Sequence, residues 1–230
     1  MTTIDEMSLR DAIYGLRATR IFNGEKIPQA TLDQILEAAT MACSSGNTQP
    51  WEFVVVVSDE QKQRIKAEMQ IAFATIDEER AQKPEDLVDG AGRPVTGHAA
   101  VENLEKAGAI VVVCWNPDRG IRFKDEYAER PDGSLEETRE IPGGRGSSLF
   151  PACQNLMLAA RSFGVQSLFT TFFYLRSAEI REILRIPPRV FMESAIFLGY
   201  AEEKLGNPRR LPVPEVSHLD TWGNRYEPAR

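Results

Sequence analysis

Histidine occurs only twice in the 230 residues, at His98 and His218. Catalysis that needs several histidines, as metal ligands or as a base with orienting partners, therefore has little to work with. Cysteine is nearly as scarce. Cys43, Cys114 and Cys153 are odd in number, far apart and without a CxxC pair, which argues against a disulfide framework and a thiolate zinc site and fits a reducing cytoplasm. Positive charge is in deficit, with 27 Lys and Arg against 34 Asp and Glu for a formal charge of −7. That is the wrong sign for a nucleic-acid module, although a local basic pocket for one phosphate stays open. No uninterrupted apolar stretch reaches the roughly 20 residues a helix needs to cross a bilayer. The polar, mixed-charge residues 1–10 contain no apolar core of a secretory signal. The expectation is a cytoplasmic chain with no metal, membrane or nucleic-acid partner.

The apolar residues that are present are well ordered. At this length the chain reads as one domain over residues 1–230. Leu32, Ile35, Leu36 and Ala39 share one face of a helix over 31–41. A turn-rich loop, Ala42 to Trp51, leads into WEFVVVV (51–57), a buried β-branched strand. Ser58 and Gln61 open a helix over about 59–70. AIVVVCW (109–115) is a second buried strand, and residues 148–163 form an apolar helix stopped by Gly164. A strand over about 165–173, a helix from Ser177 to Leu184 and a strand from Val190 to Tyr200 follow. The Pro- and Arg-rich tail from Ala201 to Arg230 reads as extended. Two polar stretches, about 70–98 and 116–147, read as insertions of the kind that serve as lids.

Three clusters carry chemistry. Arg17-Ala18-Thr19-Arg20 holds two arginines three apart, which in a helix or turn project to one side and can grip a phosphate; a solvated charged face is the competing account. Ser44-Ser45-Gly46-Asn47-Thr48-Gln49-Pro50-Trp51 combines small hydroxyl and amide residues with a glycine, so that backbone N–H groups can approach a polar ligand edge. Turn chemistry alone would also select such a loop. Arg209-Arg210-Leu211-Pro212 offers two further cations in the tail. Cys43 as a nucleophile would need a histidine base, and neither histidine sits in a triad-like context. The Gly-rich run ending in Arg145-Gly146-Ser147-Ser148 matches neither a Walker A loop nor GxGxxG, so loop flexibility is its better account.

In order, type and spacing, these clusters resemble the nitroreductase family. RATRIF (17–22), the helix at 31–41, CSSGNTQPW (43–51) and the valine-rich strand follow its N-terminal signature. PACQNLMLAA (151–160), Gly164-Val165-Gln166, Thr170-Thr171, Leu198-Gly199-Tyr200 and Arg210-Leu211-Pro212 follow its second half. The resemblance covers most of the chain except the two insertions. It departs at Leu16-Arg17-Ala18, where the family often has Arg-Arg-Ser, and at Cys43, where proline is usual.

The resemblance implies an α+β fold: a central mixed, mostly antiparallel sheet flanked by helices, with a C-terminal extension wrapping the partner of a homodimer. It implies FMN between the subunits, with NAD(P)H as reductant and a nitroaromatic, quinone or similar small-molecule acceptor served in ping-pong order. Arg17 would reach the ribityl-phosphate side, with Thr19 compensating for the missing serine. Arg20 would stabilise charge at the flavin N1 and O2. Arg209 and Arg210 would clamp the phosphate, Ser44, Ser45 and Asn47 would come from the other subunit, and Gln154 would touch the ring. One of Thr170 and Thr171 would face N5, with Thr171 favoured on the register of the match. The alternatives are a reductive dehalogenase like iodotyrosine deiodinase and a flavin-binding protein without turnover.

Overall fold

The computed structural model describes residues 7–82, 98–121, 127–137, 144–202, 206 and 210–228. Its elements in chain order are α1 (Leu9–Gly15), α2 (Gln29–Thr40), β1 (Trp51–Val56), α3 (Asp59–Gln82), α4 (His98–Glu102), β2 (Ala109–Trp115), β3 (Tyr127–Glu129), β4 (Leu135–Glu137), α5 (Gly146–Ser162), β5 (Gln166–Thr170), α6 (Ser177–Leu184), β6 (Phe191–Gly199) and α7 (Val213–Val216). Single 3-10 turns occupy Ser45–Asn47, Leu104–Lys106 and Phe172–Arg176.

The main sheet has the order β1-β2-β6-β5, with every named pair antiparallel. One parallel bridge, Ala18 to Ser167, makes the described sheet mixed. β2 explains why its sequence does not alternate. Ile110, Val112 and Cys114 pack with Ile65, Met69 and Ile180 under α3 and α6. Ala109, Val111, Val113 and Trp115 pack with Leu32, Ile35, Leu149 and Leu156 under α2 and α5. Helices cover both faces, so both sets of side chains are apolar although the sheet is antiparallel.

Local chemistry sets the element ends. Gly164 (φ +75°) closes α5: its N–H donates to Arg161 O at 3.0 Å, and Val165 N donates to Ala160 O at 3.0 Å. This paired motif needs a left-handed residue at that point, the conformation glycine takes without strain. Gln61 N donates to Ser58 Oγ at 3.4 Å at the start of α3. Lys62 is buried, and its ammonium donates to Glu105 O (3.2 Å) and Ala107 O (3.0 Å) and pairs with Asp59 (2.9 Å). A buried cation persists only with its donors used in this way. A register shift in β2·β6 pairs Val113 with Ser194 and Cys114 with Met192, leaving Glu193 as the extra residue of a bulge. Glu193 forms an ion pair with Arg145, whose guanidinium lies 4.3 Å over the Phe191 ring.

Element bounds differ from expectation in several places. α3 runs on to Gln82 rather than ending near 70, because TIDEERAQ contains good helix formers even though it buries little. α1 was not foreseen; Ser8 Oγ caps it by accepting from Asp11 N at 3.1 Å. The second insertion contains a hairpin, β3–β4, turned by Pro131-Asp132-Gly133-Ser134, with Gly133 at φ +80°. The tail holds one helical turn, α7, rather than extended chain alone. Residues 83–97, 122–126 and 138–143 of the insertions lie outside the described residues. No described helix is long and apolar enough to cross a membrane.

Leu156 is fully buried between α5, α2 and the sheet. Leu156→Ala is expected to destabilise the protein by about 2–5 kcal/mol, read as a fall in the urea midpoint at unchanged slope.

Candidate functional site

The arginine segment is not helical. α1 ends at Gly15, and the chain then runs extended, pairing first with β5 and then with the segment after β6. Ala18 bridges Ser167, and Thr19 N donates to Ser167 O at 2.9 Å. Phe22 bridges Ala201, Asn23 N donates to Tyr200 O at 3.0 Å, and Glu202 N donates to Ile21 O at 3.3 Å. The expected projection of Arg17 and Arg20 to one side is therefore corrected: in extended backbone an odd spacing sends them apart. Arg17 turns back on α1, donating to Tyr14 O and Leu16 O at 2.7 Å each, and its Nε reaches Gly206 O in the tail at 3.1 Å. Thr19 is 1% exposed, and its hydroxyl is buried in the chain without a hydrogen-bond partner among the described residues.

Arg20 points the other way. It is exposed and has no ion-pair partner among the described residues, and it lines a pocket with Thr170. The walls are apolar: Met69 and Phe73 from α3, Ala100 and Val101 from α4, and Phe172, Phe173 and Phe197. The Phe73 and Phe172 rings meet edge to face at 5.5 Å between centroids. The cavity measures about 110 Å³, below the roughly 300–1,000 Å³ of ordinary small-molecule sites. Thr170 faces this pocket, and its Oγ1 accepts from Phe172 N at 3.2 Å. Thr171 is exposed at the start of the 3-10 turn. Sequence reasoning missed the walls supplied by α3 and α4; the aromatic run Phe169 to Tyr174 was the available signal.

The Ser44–Pro50 loop lies elsewhere. Ser45 N donates to Ser148 Oγ at 3.2 Å, near the N-terminus of α5, whereas Arg161, thirteen helical positions later, lies against Gly15. At 1.5 Å per residue the two ends are about 20 Å apart. Gly46 (φ +58°), Asn47 (φ +54°) and Gln49 (φ +49°) are left-handed, costing on the order of 1 kcal/mol or more for each non-glycine. Ser44 holds the loop from within: its carbonyl accepts from Asn47 N at 3.0 Å and its Oγ from Gln49 N at 3.0 Å. Ser45 and Asn47 are exposed and Ser44 is half-buried. Gln154 is exposed on α5 one turn after Phe150, whose ring meets Phe169 edge to face at 5.8 Å. Arg210 is exposed in the tail four residues after Gly206, the partner of Arg17, and Arg209 lies outside the described residues.

The structure thus brings Arg20 to Thr170, and Arg17 to the tail that carries Arg210. Within one chain it does not bring the serine loop to the arginine segment. Thiol chemistry has no support. Burial pushes the Cys114 thiol up to about 12 and that of Cys153 up to about 11. His98 pairs with Asp77 at 3.1 Å, and His218 stacks near Trp222 at 4.2 Å between centroids. Among the described residues no group of three or more His, Cys, Asp and Glu could hold a metal ion.

A sheet covered on both faces by helices, with a cation and a threonine at the mouth of an aromatic pocket, is the frame of a family-level comparison. The Nitroreductase family model matches residues 13–200, and the chain belongs to that family; it is an oxidoreductase. A protein of Methanothermobacter thermautotrophicus with the provisional name NADH dehydrogenase/NAD(P)H nitroreductase is 28% identical over 221 residues, spanning 95% of this chain and 90% of the relative. The FMN reductase [NAD(P)H] of Bacillus subtilis is 25% identical over 215 residues, covering 92% of this chain and 73% of its own length. In three dimensions the NADPH:FMN oxidoreductase of Vibrio harveyi, solved with NAD+, matches with a TM-score of 0.67 at 19% identity, over 96% of this chain and 79% of that one. That likeness speaks for the fold alone.

The thiols give a direct check. In the native protein at pH 8 only the exposed Cys43 is expected to react with a thiol reagent, and all three cysteines after denaturation. The pH dependence follows from the same shifts. An unfolded thiol ionises near 9.0, while the folded Cys114 and Cys153 hold their protons to about 12 and about 11. Between those values the native state binds more protons, so stability should fall as pH rises above about 9. Two or three fast-reacting native thiols would contradict this reading.

Proposed function

We propose that the enzyme holds FMN non-covalently in a cleft shared by two copies of the chain, takes reducing equivalents from NAD(P)H and passes them to a nitroaromatic, quinone or similar acceptor. The observation that carries this reading is Arg20, beside Thr170, at the mouth of the phenylalanine-walled pocket. An isoalloxazine is a flat apolar body with polar edges, and this site offers aromatic walls with a cation and a hydroxyl at the rim. The donor set therefore fits the cofactor. The cavity of one chain does not enclose it, which supports a site completed by another surface.

FMN bound there would supply N5 as the atom that accepts a hydride from NAD(P)H and returns it to the second substrate, the two substrates taking turns at one face. The chain's own residues bind and orient. Arg20 would balance the negative charge that gathers at N1 and O2. Arg210, with Arg209, would take the phosphate, and Arg17 would hold the tail that presents them while facing the ribityl side. Ser44, Ser45 and Asn47 would reach the cofactor from the second copy, Gln154 would flank the ring, and Thr170 or Thr171 would stand at N5. Acceptor choice would sit in the stretches at about 70–98 and 116–147, within one domain over residues 1–230.

Exposed apolar surface supports the dimer. Trp222 is 91% exposed, and Leu211, Val213, Val216 and Leu219 are also exposed in the tail, apolar side chains that a partner surface would cover. Light scattering at micromolar concentration should return the mass of two chains, and a monomer would sink the shared-site reading.

The cofactor is tested by the visible spectrum. The protein should carry or take up FMN and lose its oxidised-flavin bands when NADPH or NADH is added without oxygen. A colourless protein that refuses FMN overturns the assignment. Arg20→Ala is expected to lower the flavin midpoint potential by about 30 mV, a tenfold change for a two-electron couple, with Arg20→Lys recovering part of it.

A further inference from the structure

The turn that opens the second insertion is bonded to the exit of the serine loop. Arg119 Nε donates to Gln49 O at 3.0 Å and Nη2 donates to Trp51 O at 2.6 Å, while Nη1 pairs with Glu52 at 2.8 Å. Asn116 N donates to Pro50 O at 2.7 Å, and its Nδ2 donates to Glu52 Oε1 at 3.0 Å. The carbonyls of residues 49, 50 and 51 are thus all taken by residues 116 and 119.

Within the serine loop Gln49 is the residue least suited to its backbone, at φ +49°. Asparagine and glycine visit the left-handed region readily; glutamine, with a longer side chain, gains little there from bonding its own backbone. Its N–H is held by Ser44 Oγ and its carbonyl by Arg119. Such a conformation persists only where its surroundings over-determine it. The planar guanidinium fork reaches the carbonyls on both sides of Pro50 from fixed directions, with less side-chain freedom lost per hydrogen bond than for a flexible ammonium.

The turn itself is firm. Asp118 N donates to Asn116 Oδ1 at 2.9 Å, and Gly120 N donates to Asn116 O at 3.0 Å. Gly120 lies so close to Trp115 that an added Cβ would come within 2.1 Å of the indole. Arg189 joins Asp118 (3.4 Å) to Glu129 of the β3–β4 hairpin (3.1 Å). The insertion and the loop therefore share one ion-paired turn.

We infer that Arg119 is a positioning residue for the cofactor site: by clamping left-handed Gln49 it sets how Ser44, Ser45 and Asn47 are presented, so the start of the second insertion controls flavin retention. This rests on the flavin reading above and assigns Arg119 no contact with the cofactor.

The test compares wild type, Arg119→Ala, Arg119→Lys and the double variant Arg119→Ala with Gln49→Gly, each titrated with FMN by fluorescence quenching alongside its melting temperature. Arg119→Ala should weaken FMN binding about tenfold, and Arg119→Lys should recover only part. Gln49→Gly should restore most of the loss in the alanine background, because glycine takes a positive φ without strain. A merely structural arginine would not be rescued at residue 49. Equal affinity in wild type and Arg119→Ala overturns the inference alone, as does a loss that Gln49→Gly leaves unchanged. Should Arg119→Ala not fold, Arg119→Lys with and without Gln49→Gly decides by the same rescue. A wild-type chain that takes up no FMN overturns the flavin reading and this one together.

Discussion

The candidate site depends on residues 18–22 being held as a strand. Their polar backbone groups need partners, and they find them first in Ser167 of β5 and then in Tyr200 to Glu202 after β6. The bridge at Ala18 also covers part of the sheet edge that β5 would otherwise expose. Once the segment is extended, successive side chains point to opposite faces: Thr19 to one, and Ala18, Arg20 and the buried Phe22 to the other. That alternation puts a guanidinium at the pocket and removes a hydroxyl from it. A helix through the same residues would have set Arg17 and Arg20 side by side. The extended form gives them separate work, one tying α1 to the tail and the other facing the cavity.

The second constraint is the length of α5. Its N-terminal end carries the contact to Ser45 and its C-terminal end the contact to Gly15, so the serine loop and the arginine segment are kept apart by the rigid element between them. A ligand that needs both gains them only if another copy supplies one. The small cavity and the exposed apolar tail point the same way. Distance, volume and uncovered surface are the three features that favour the proposed shared site.

Much of this frame was legible from periodicity. α6 matches its expected bounds, Ser177 to Leu184, because Ile180, Ile183 and Leu184 form one apolar stripe against the core and Arg185 ends the helix in a left-handed turn. β2 matches because seven apolar residues in a row leave no other reading. Periodicity failed where burial does not decide. The end of α3 and all of α1 are held by propensity and capping, with few buried side chains to mark them. β5 stops at Thr170, short of the expected 173, because the aromatic run turns into a 3-10 helix, with Thr170 Oγ1 accepting from Phe172 N at the bend. Of the candidate site, residue types and order were legible, but direction was not. Whether Arg17 and Arg20 stand together, or whether Thr19 faces a ligand, follows from pairing across the sheet, which a single sequence does not display. The Arg119 clamp left no local signature, since its partners are backbone carbonyls seventy residues away.

Charge distribution adds the last step. A chain at −7 could satisfy each of its arginines internally, and many are: Arg176 with Glu68 and Glu179, Arg145 with Glu193, Arg189 with Asp118 and Glu129, Arg119 with Glu52. Against that background Arg20 stands without a carboxylate partner among the described residues. A cation left unpaired in an acidic chain gains nothing for folding by facing an apolar pocket. Its position becomes favourable when negative charge arrives there, and the low-dielectric aromatic walls make that interaction stronger than it would be in open water. The same excess of acid elsewhere on the surface disfavours nonspecific anion binding. The overall charge thus disfavours polyanions, while Arg20 gives the pocket a local cation of the sign that the proposed cofactor would need.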